Sequence, residues 1–353
     1  MLETWRWLGV VGLSWVLGAG CSSDPSDNGT GGRGGSEATG QGGAAGDDGE
    51  GGAAGDTVAG QAGQEPGPPV QLRVATFNAE NFFNDKKDSP EVTDETTVSA
   101  SAYQTKLAGV AAILAKTNAD IVMLEEIEND NVLADLQARP EFKGKFIDRA
   151  ILGTNDPRGI HVAALSTVMF TKKISHIQEQ FARVDISGGP TYRWSRDLLE
   201  LHAQVNTRHL IFLGVHLKAK VDDDPSKRLA EAQRARGVAD KLRTADPDAG
   251  VVILGDFNDF PGSKPIDAVE QGTVAGGETY GSAGLEQPAA DAWSVKSSSA
   301  PGGLALHDDL RSSPWLQERI VKGSSLILHD DQLDKSLQSI SDHAPVVITY
   351  RID

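Results

Sequence analysis

The chain has 353 residues, 39% of them hydrophobic, with a formal charge of −17 and a single cysteine. That acidity argues against a protein that holds nucleic acid on a broad basic face, but not against an enzyme whose bound divalent ions supply positive charge locally. One cysteine excludes an intramolecular disulfide, so the fold must rest on its core and on any metal it holds.

Residues 1–7 include Arg6, and 8–19 form an apolar run too short for a comfortable transmembrane helix. The pattern suits a signal peptide over residues 1–20. Cys21 follows small residues directly and resembles the lipobox cysteine of bacterial lipoproteins. That resemblance implies lipidation at Cys21 and an outer-membrane or cell-surface protein that touches the membrane through its anchor only. The alternative is an ordinary cleaved signal peptide with an incidental cysteine, and a periplasmic or extracellular product. Residues 21–70 are dominated by Gly, Ala, Ser, Asp and Gln, too poor in apolar surface to offset ordering entropy, and read as a flexible tether. Residues 71–353 remain as one α/β domain, expected to be a monomer.

Within that domain, 72–77 read as a first strand ending at Asn78. Tyr103, Leu107, Val110 and Leu114 share one face of a helix over 102–116. Residues 119–124 form a second buried strand ending in Glu125-Glu126. Further strands are expected over 162–170, 198–205 and 209–215, the last ending in His216-Leu217-Lys218. Asp224-Pro225 starts a helix to about residue 243. Val251, Val252, Ile253 and Leu254 read as a strand buried on both faces that runs into Gly255-Asp256-Phe257-Asn258-Asp259. A short helix starts near Ser263 and Pro265; 271–303 read as loops, with a short element near Trp293. A last strand covers 344–350. Strands at 198–205 and 209–215 leave no room for a helix between them, which implies mixed sheets.

Several apolar runs thus stop at oxygen-rich or imidazole side chains: Asn78, Glu126, His216, Asp256 and Asn258, with Asp342-His343 just before the last strand. Each alone has a bland reading as a strand terminator. Gathered at one sheet edge, they suit a hard divalent cation with acid/base groups beside it.

Thr76-Phe77-Asn78, Leu124-Glu125-Glu126, Gly214-Val215-His216-Leu217-Lys218, Gly255-Asp256-Phe257-Asn258 and Ser341-Asp342-His343-Ala344-Pro345-Val346 occur in this order. They resemble the motifs of the endonuclease/exonuclease/phosphatase superfamily, over essentially all of residues 71–353. The resemblance implies a four-layer α/β sandwich, two mixed β-sheets packed face to face with helices outside, and phosphoester cleavage dependent on Mg²⁺ or Mn²⁺, with Ca²⁺ a further candidate. It implies Glu126, Asn78 and Asp342 at the metal, Asp256 on the attacking water, Asn258 holding water or phosphate, and His343 and His216 at the phosphoryl group. A carboxylate behind His343 is implied at Asp308, with Asp309 as the alternative one register away. Lys218, Arg193, Arg196 and Arg158 are candidate phosphate contacts. His161 is read as a surface residue, with substrate contact as the alternative, and Arg228 and Glu231 as a structural ion pair. The substrate expected is nucleic acid, cut by a DNase-like nuclease. Sphingomyelinase-type or phosphoinositide-phosphatase activity on the same fold is the alternative, and a non-catalytic surface binding protein a third reading.

Overall fold

In this computed structural model, residues 67–353 are described except 90–91, 221–222, 273–275 and 297–300. The expected signal peptide, Cys21 and the tether up to residue 66 lie outside the described residues.

Side chains of the first strand, β1 (Val70–Phe82), part to opposite sides with the strand period of two. Leu72 and Val74 enter one hydrophobic cluster, Ala75 and Phe77 another. The chain continues through α1 (Ala100–Thr117), β2 (Ile121–Ile127), α2 (Asp130–Gln137), β3 (Asp148–Ile151), β4 (His161–Ser166) and β5 (Phe170–Ser175). A small hairpin, β6 (Gln180–Ala182) and β7 (Thr191–Arg193), precedes β8 (Leu199–Val205) and β9 (Arg208–His216). Then come α3 (Pro225–Ala245), β10 (Gly250–Asp256) and α4 (Lys264–Gln271). The short strands β11 (Gly281–Ser282), β12 (Val295–Lys296) and β13 (Leu304–Ala305) lead to β14 (Asp308–Ser312), α5 (Pro314–Gln317), β15 (Leu326–Ile327) and β16 (Val346–Ile352).

One six-stranded sheet runs β15-β16-β1-β2-β4-β3, the other β11-β14-β10-β9-β8-β5. Both are mixed: β1 pairs parallel with β2 and antiparallel with β16, and β10 parallel with β9 and antiparallel with β14. Between the sheets lie Val74, Met123, Val162, Leu201, Phe212, Leu254, Leu310 and Ile348. Outside the first sheet α1 and α2 bury Leu107, Val110, Leu133 and Leu136; outside the second, α3 and α4 bury Ala235, Val238, Ile266 and Val269. This is the expected four-layer α/β sandwich. The layers approach closely at Gly214, where a Cβ would stand 2.4 Å from the Met123 sulfur across the sheets.

The helix starts follow local chemistry. Ser99 Oγ accepts the Ala102 N–H, and Asp224 Oδ1 that of Lys227, each filling an otherwise orphaned donor. The expected hairpin forms between β8 and β9, turning through Asn206 at φ 56°. Five expectations change, the last strand among them, which runs over Val346–Ile352 and not 344–350. The first strand does not stop at Asn78 but continues irregularly to Phe82, with Glu80 and Asn81 at positive φ. The second includes Glu125 and Glu126 and reaches Ile127. The run over 162–170 breaks at 167–169 into β4 and β5, which belong to different sheets. Helix α2 and the β6–β7 hairpin were not expected at all; α2 has only eight residues, and its three apolar anchors Val132, Leu133 and Leu136 are too few to show a helical period.

Candidate active site

The second sheet delivers its polar residues in register. Asp256 pairs with His216 on one side and Asp308 on the other, so three strand ends present three titratable groups side by side. Gly255 makes the approach feasible. Its φ is 138°, and a Cβ there would lie 1.9 Å from the Val215 carbonyl oxygen, so only glycine fits. After Asp256 the chain turns back through Asn258 at φ 50°, whose N–H bonds Asp256 Oδ1 at 2.8 Å and whose Nδ2 bonds the Leu217 carbonyl at 3.0 Å.

The first sheet meets this row from across the sandwich. Asn78 Nδ2 donates to Asp256 Oδ2 at 3.0 Å, and Ser341 Oγ donates to the Asn78 carbonyl at 2.7 Å, tying the last motif to the first. Glu126 sits at φ 64° in a β-bulge between the Glu125 and Ile127 pairings. Bulges re-aim a side chain; here Glu126 Oε2 accepts the Asn81 N–H at 2.6 Å, and its Oε1 lies 4.0 Å from His216 Nε2. Asn78, Glu126, Arg158, Arg196, His216, Lys218, Asp256, Asn258, Asp342 and His343 all line one cavity of about 530 Å³.

The two imidazoles differ in charge. Burial, reinforced by the Arg196 cation, pushes His216 down to about 3, so it is neutral. His343 donates from Nδ1 to Asp308 Oδ2 at 2.6 Å. Burial opposes its charge, but Asp308, Asp256 and Asp342 outweigh burial and raise it well above the ordinary histidine value. Burial also works against ionisation of Asp256, yet His343, His216 and His307 hold its carboxyl well below the usual range. One face of the cavity therefore holds an imidazolium, an ionised carboxylate and a neutral imidazole within 4.0 Å contacts.

Register decides between the two candidate aspartates. Asp308 takes His343 and the Ser294 hydroxyl at 2.7 Å, whereas Asp309 faces away to the Gly284 N–H, the Ser282 hydroxyl and Arg311. Asp342 is more exposed, with Oδ1 3.8 Å from His343 Nε2. Asp256, Asp308 and His343 offer ligand atoms within 4.8 Å of one another, but the short His343–Asp308 bond already occupies that pair. Glu126, Asn78 and Asp342 line the same cavity and could hold a hard divalent cation, combining two carboxylates with an amide.

The basic candidates separate. Arg158 bonds Asn81 Oδ1 at 2.9 Å and stands 3.9 Å from Glu126 Oε1; Arg196 is buried and bonds the Leu217 carbonyl at 3.2 Å. Both are held by Asp156, a residue that sequence reasoning missed although Asp156-Pro157 directly precedes Arg158. Arg193 lies on the β6–β7 hairpin and is not among the residues lining the cavity. His161 is 4% exposed, so the expectation of a surface residue is corrected. Arg228 pairs with Asp259 and Asp223 and not with Glu231, which instead accepts the backbone N–H groups of Ser195 and Lys218. Ser294 and His307 also went unread: nothing in a Ser/Ala/Gly-rich stretch signals a hydroxyl behind a catalytic-type aspartate.

Fold and site together define a metal-dependent phosphoric ester hydrolase. The chain belongs to the endonuclease/exonuclease/phosphatase family, whose profile matches residues 73–279. Solved structures share the fold at low identity. Truncated TDP2 from Caenorhabditis elegans is 19% identical, with TM-score 0.54 over 80% of this chain and 97% of that one. The human nocturnin catalytic domain is 14% identical, TM-score 0.54, over 81% and 95%. An endonuclease/exonuclease/phosphatase from Bacteroides vulgatus is 15% identical, TM-score 0.52, over 80% and 100%. No curated protein sequence matches the chain.

Proposed function

We propose that this chain is an exported phosphodiesterase that hydrolyses nucleic-acid phosphodiester bonds with Mg²⁺ or Mn²⁺. The observation that carries the reading is the placing of a cationic His343 and a neutral His216 within 4.0 Å of Asp256, in the cavity that Glu126 and Asn78 enter from the other sheet. Glu126, Asn78 and Asp342 would hold the ion, which when bound supplies charge neutralisation at the phosphoryl oxygens and a more acidic water. Asp256, ionised throughout the physiological range, accepts a hydrogen bond from the attacking water and aims it at phosphorus; Asn258 keeps Asp256 in place. His343, kept cationic by Asp308, donates to a non-bridging phosphoryl oxygen. Neutral His216 donates a hydrogen bond toward the departing oxygen. Arg158, Arg196 and Lys218 contact the flanking phosphate.

Export follows from the apolar segment over 8–19, and Cys21 is the proposed lipidation site, anchoring an otherwise monomeric enzyme by its N-terminus. Mass spectrometry of the N-terminal peptide from membrane-extracted protein tests this; a peptide starting elsewhere, or without acyl chains, removes the anchor.

The catalytic reading is tested by offering plasmid DNA, RNA, sphingomyelin and a phosphoinositide to the full chain with Mg²⁺, Mn²⁺ or chelator. Metal-dependent plasmid nicking that Asp256→Ala lowers by roughly 10²-fold or more supports it. Lipid hydrolysis with intact plasmid replaces it with a phospholipid-directed phosphoesterase, and no turnover despite metal binding makes the chain a binding protein.

A further inference from the structure

A second group of carboxylates lies outside the catalytic cavity. Asp88 and Glu95 come from the loop joining β1 to α1, and Glu128 follows β2; each offers an oxygen within 4.8 Å of the others. Oxygens bound to one Ca²⁺ ion at about 2.4 Å cannot be more than about 4.8 Å apart, and these three meet that condition.

Local amide chemistry fixes the three groups in place. Asp88 Oδ1 accepts the side-chain amides of Asn84 at 3.0 Å and Asn129 at 2.6 Å, and its Oδ2 that of Asn131 at 2.8 Å. Glu95 Oε1 accepts the backbone N–H groups of Asp88 and Ser89. Glu128 is 1% exposed; its Oε2 takes the Asn84 N–H at 2.7 Å, while its Oε1, sealed from water, has no hydrogen-bond partner. The charge of Lys86 reaches Asp88, but among the described residues no Lys, Arg or His closes an ion pair with any of the three. A buried carboxylate oxygen without a donor costs about 1–3 kcal/mol or more, and facing like charges add to that. An opening of about 490 Å³, lined by Lys87, Asp88, Ser89, Val92, Thr93 and Glu95, borders two of the three carboxylates.

We propose that Asp88, Glu95 and Glu128 form a second divalent-cation site, separate from the one at Glu126, that takes a hard, oxygen-seeking ion of the Ca²⁺ class. The three carboxylates supply three oxygens of the six to eight such an ion accepts, and water supplies the rest. The ion joins Asp88 and Glu95, between β1 and α1, to the end of β2. That loop also seats Val92 against Gly159, where a Cβ would lie 2.5 Å from Val92 Cγ2, and Arg158 is the next residue back. Holding the loop therefore steadies the wall of the catalytic cavity that carries Arg158, as well as the bulge at Glu126. The site is independent of which ester the enzyme cleaves.

Calorimetric titration of the chelator-stripped full chain with CaCl₂ alone tests the proposal, beside Glu126→Gln, Glu95→Gln and Asp88→Asn. Glu126→Gln is expected to retain one Ca²⁺ equivalent that Glu95→Gln and Asp88→Asn each weaken roughly tenfold or more. Excess CaCl₂ is expected to raise Tm of the wild type and Glu126→Gln, and not of the two loop variants. Should Glu95→Gln fail to fold, Asp88→Asn carries the comparison, because Asp88 is only partly buried. Equal stoichiometry and affinity in the loop variants and the wild type would overturn the site. So would loss of all Ca²⁺ binding in Glu126→Gln, or loop variants that are stabilised while the wild type ignores Ca²⁺.

Discussion

Asp308 has no route to substrate: it is wholly buried, one oxygen on the Ser294 hydroxyl and on His343. It acts through the imidazole, fixing which nitrogen points into the cavity and keeping the ring charged. Asp308→Asn is expected to lower kcat by roughly 10²- to 10⁴-fold with little change in KM. Because Asp308 is the largest influence raising His343, its removal lets the histidine fall toward its ordinary value. The active, protonated form is then lost at lower pH, so the alkaline limb of the pH–rate profile moves down. A variant with reduced activity but an unmoved limb would show Asp308 to be structural only.

Gly255 is the other residue with a single job. Gly255→Ala meets both the φ of 138° and the Val215 carbonyl at 1.9 Å, and is expected to cost on the order of 3 kcal/mol or more, read as a loss in Tm. At this scale the sequence was most informative. Asn78, Glu126, His216, Asp256, Asn258, Asp342 and His343 were all legible because each flanks an apolar run in a recurring spelling. Asp156, Ser294 and His307 were not, since their importance comes from partners brought up by the fold and leaves no pattern in neighbouring residues.

Among the elements, β8 and β9 carry an array of ionisable groups on their outer side, remote from the catalytic cavity. Glu200 accepts from His176 at 2.8 Å and His202 at 2.7 Å; His202 meets His209 at 2.8 Å, and His209 meets Asp246 at 2.7 Å. Burial opposes ionisation of Glu200, but the two imidazole hydrogen bonds bring it down to about 2. Burial likewise opposes charge on His176, and Glu200 and Glu179 raise it. The depressed carboxyl stabilises the fold above its ordinary value of 4.5 and loses that contribution as pH falls toward 2. The raised histidine stabilises below its ordinary 6.5 and loses its contribution as pH rises through the elevated value. The array thus contributes most between those two values. Glu200→Gln is expected to destabilise by about 2–3 kcal/mol near pH ~5.5 in denaturant titration, the deficit shrinking below about pH 3. An equal deficit at both would mean the array contributes through packing alone. Strand existence was legible here from the apolar runs, but the partition of residues 162–170 between two sheets was not. Both halves are apolar, and only the pairing of β4 with β2 and β5 with β8 tells them apart.

For the whole molecule, the described unit closes on itself. Val70, near the start of the described residues, pairs with Ile352 near the end of β16, so the first and last strands lie side by side in the first sheet. Deleting residues 22–66 is expected to leave kcat on a soluble substrate within about twofold, since no group of the cavity is touched. A large loss, measured with both proteins at equal metal occupancy, would give the N-terminal segment a catalytic part. The layer order was legible as a family resemblance and from the mixture of hairpins and crossovers. The layer contacts, such as Met123 against Gly214, follow only from three-dimensional packing.

The bond from Asn78 to Asp256 spans 178 positions of sequence, and the one from Ser341 to the Asn78 carbonyl spans 263. Synthesis runs from the N-terminus, so a growing chain possesses Glu126 and Asp256 long before it possesses His343 or β16, the strand that completes the first sheet beside β1. The cavity can therefore assemble only after residues on both sides of that separation have been made, and no partial chain ending before Ser341 holds every residue that lines it.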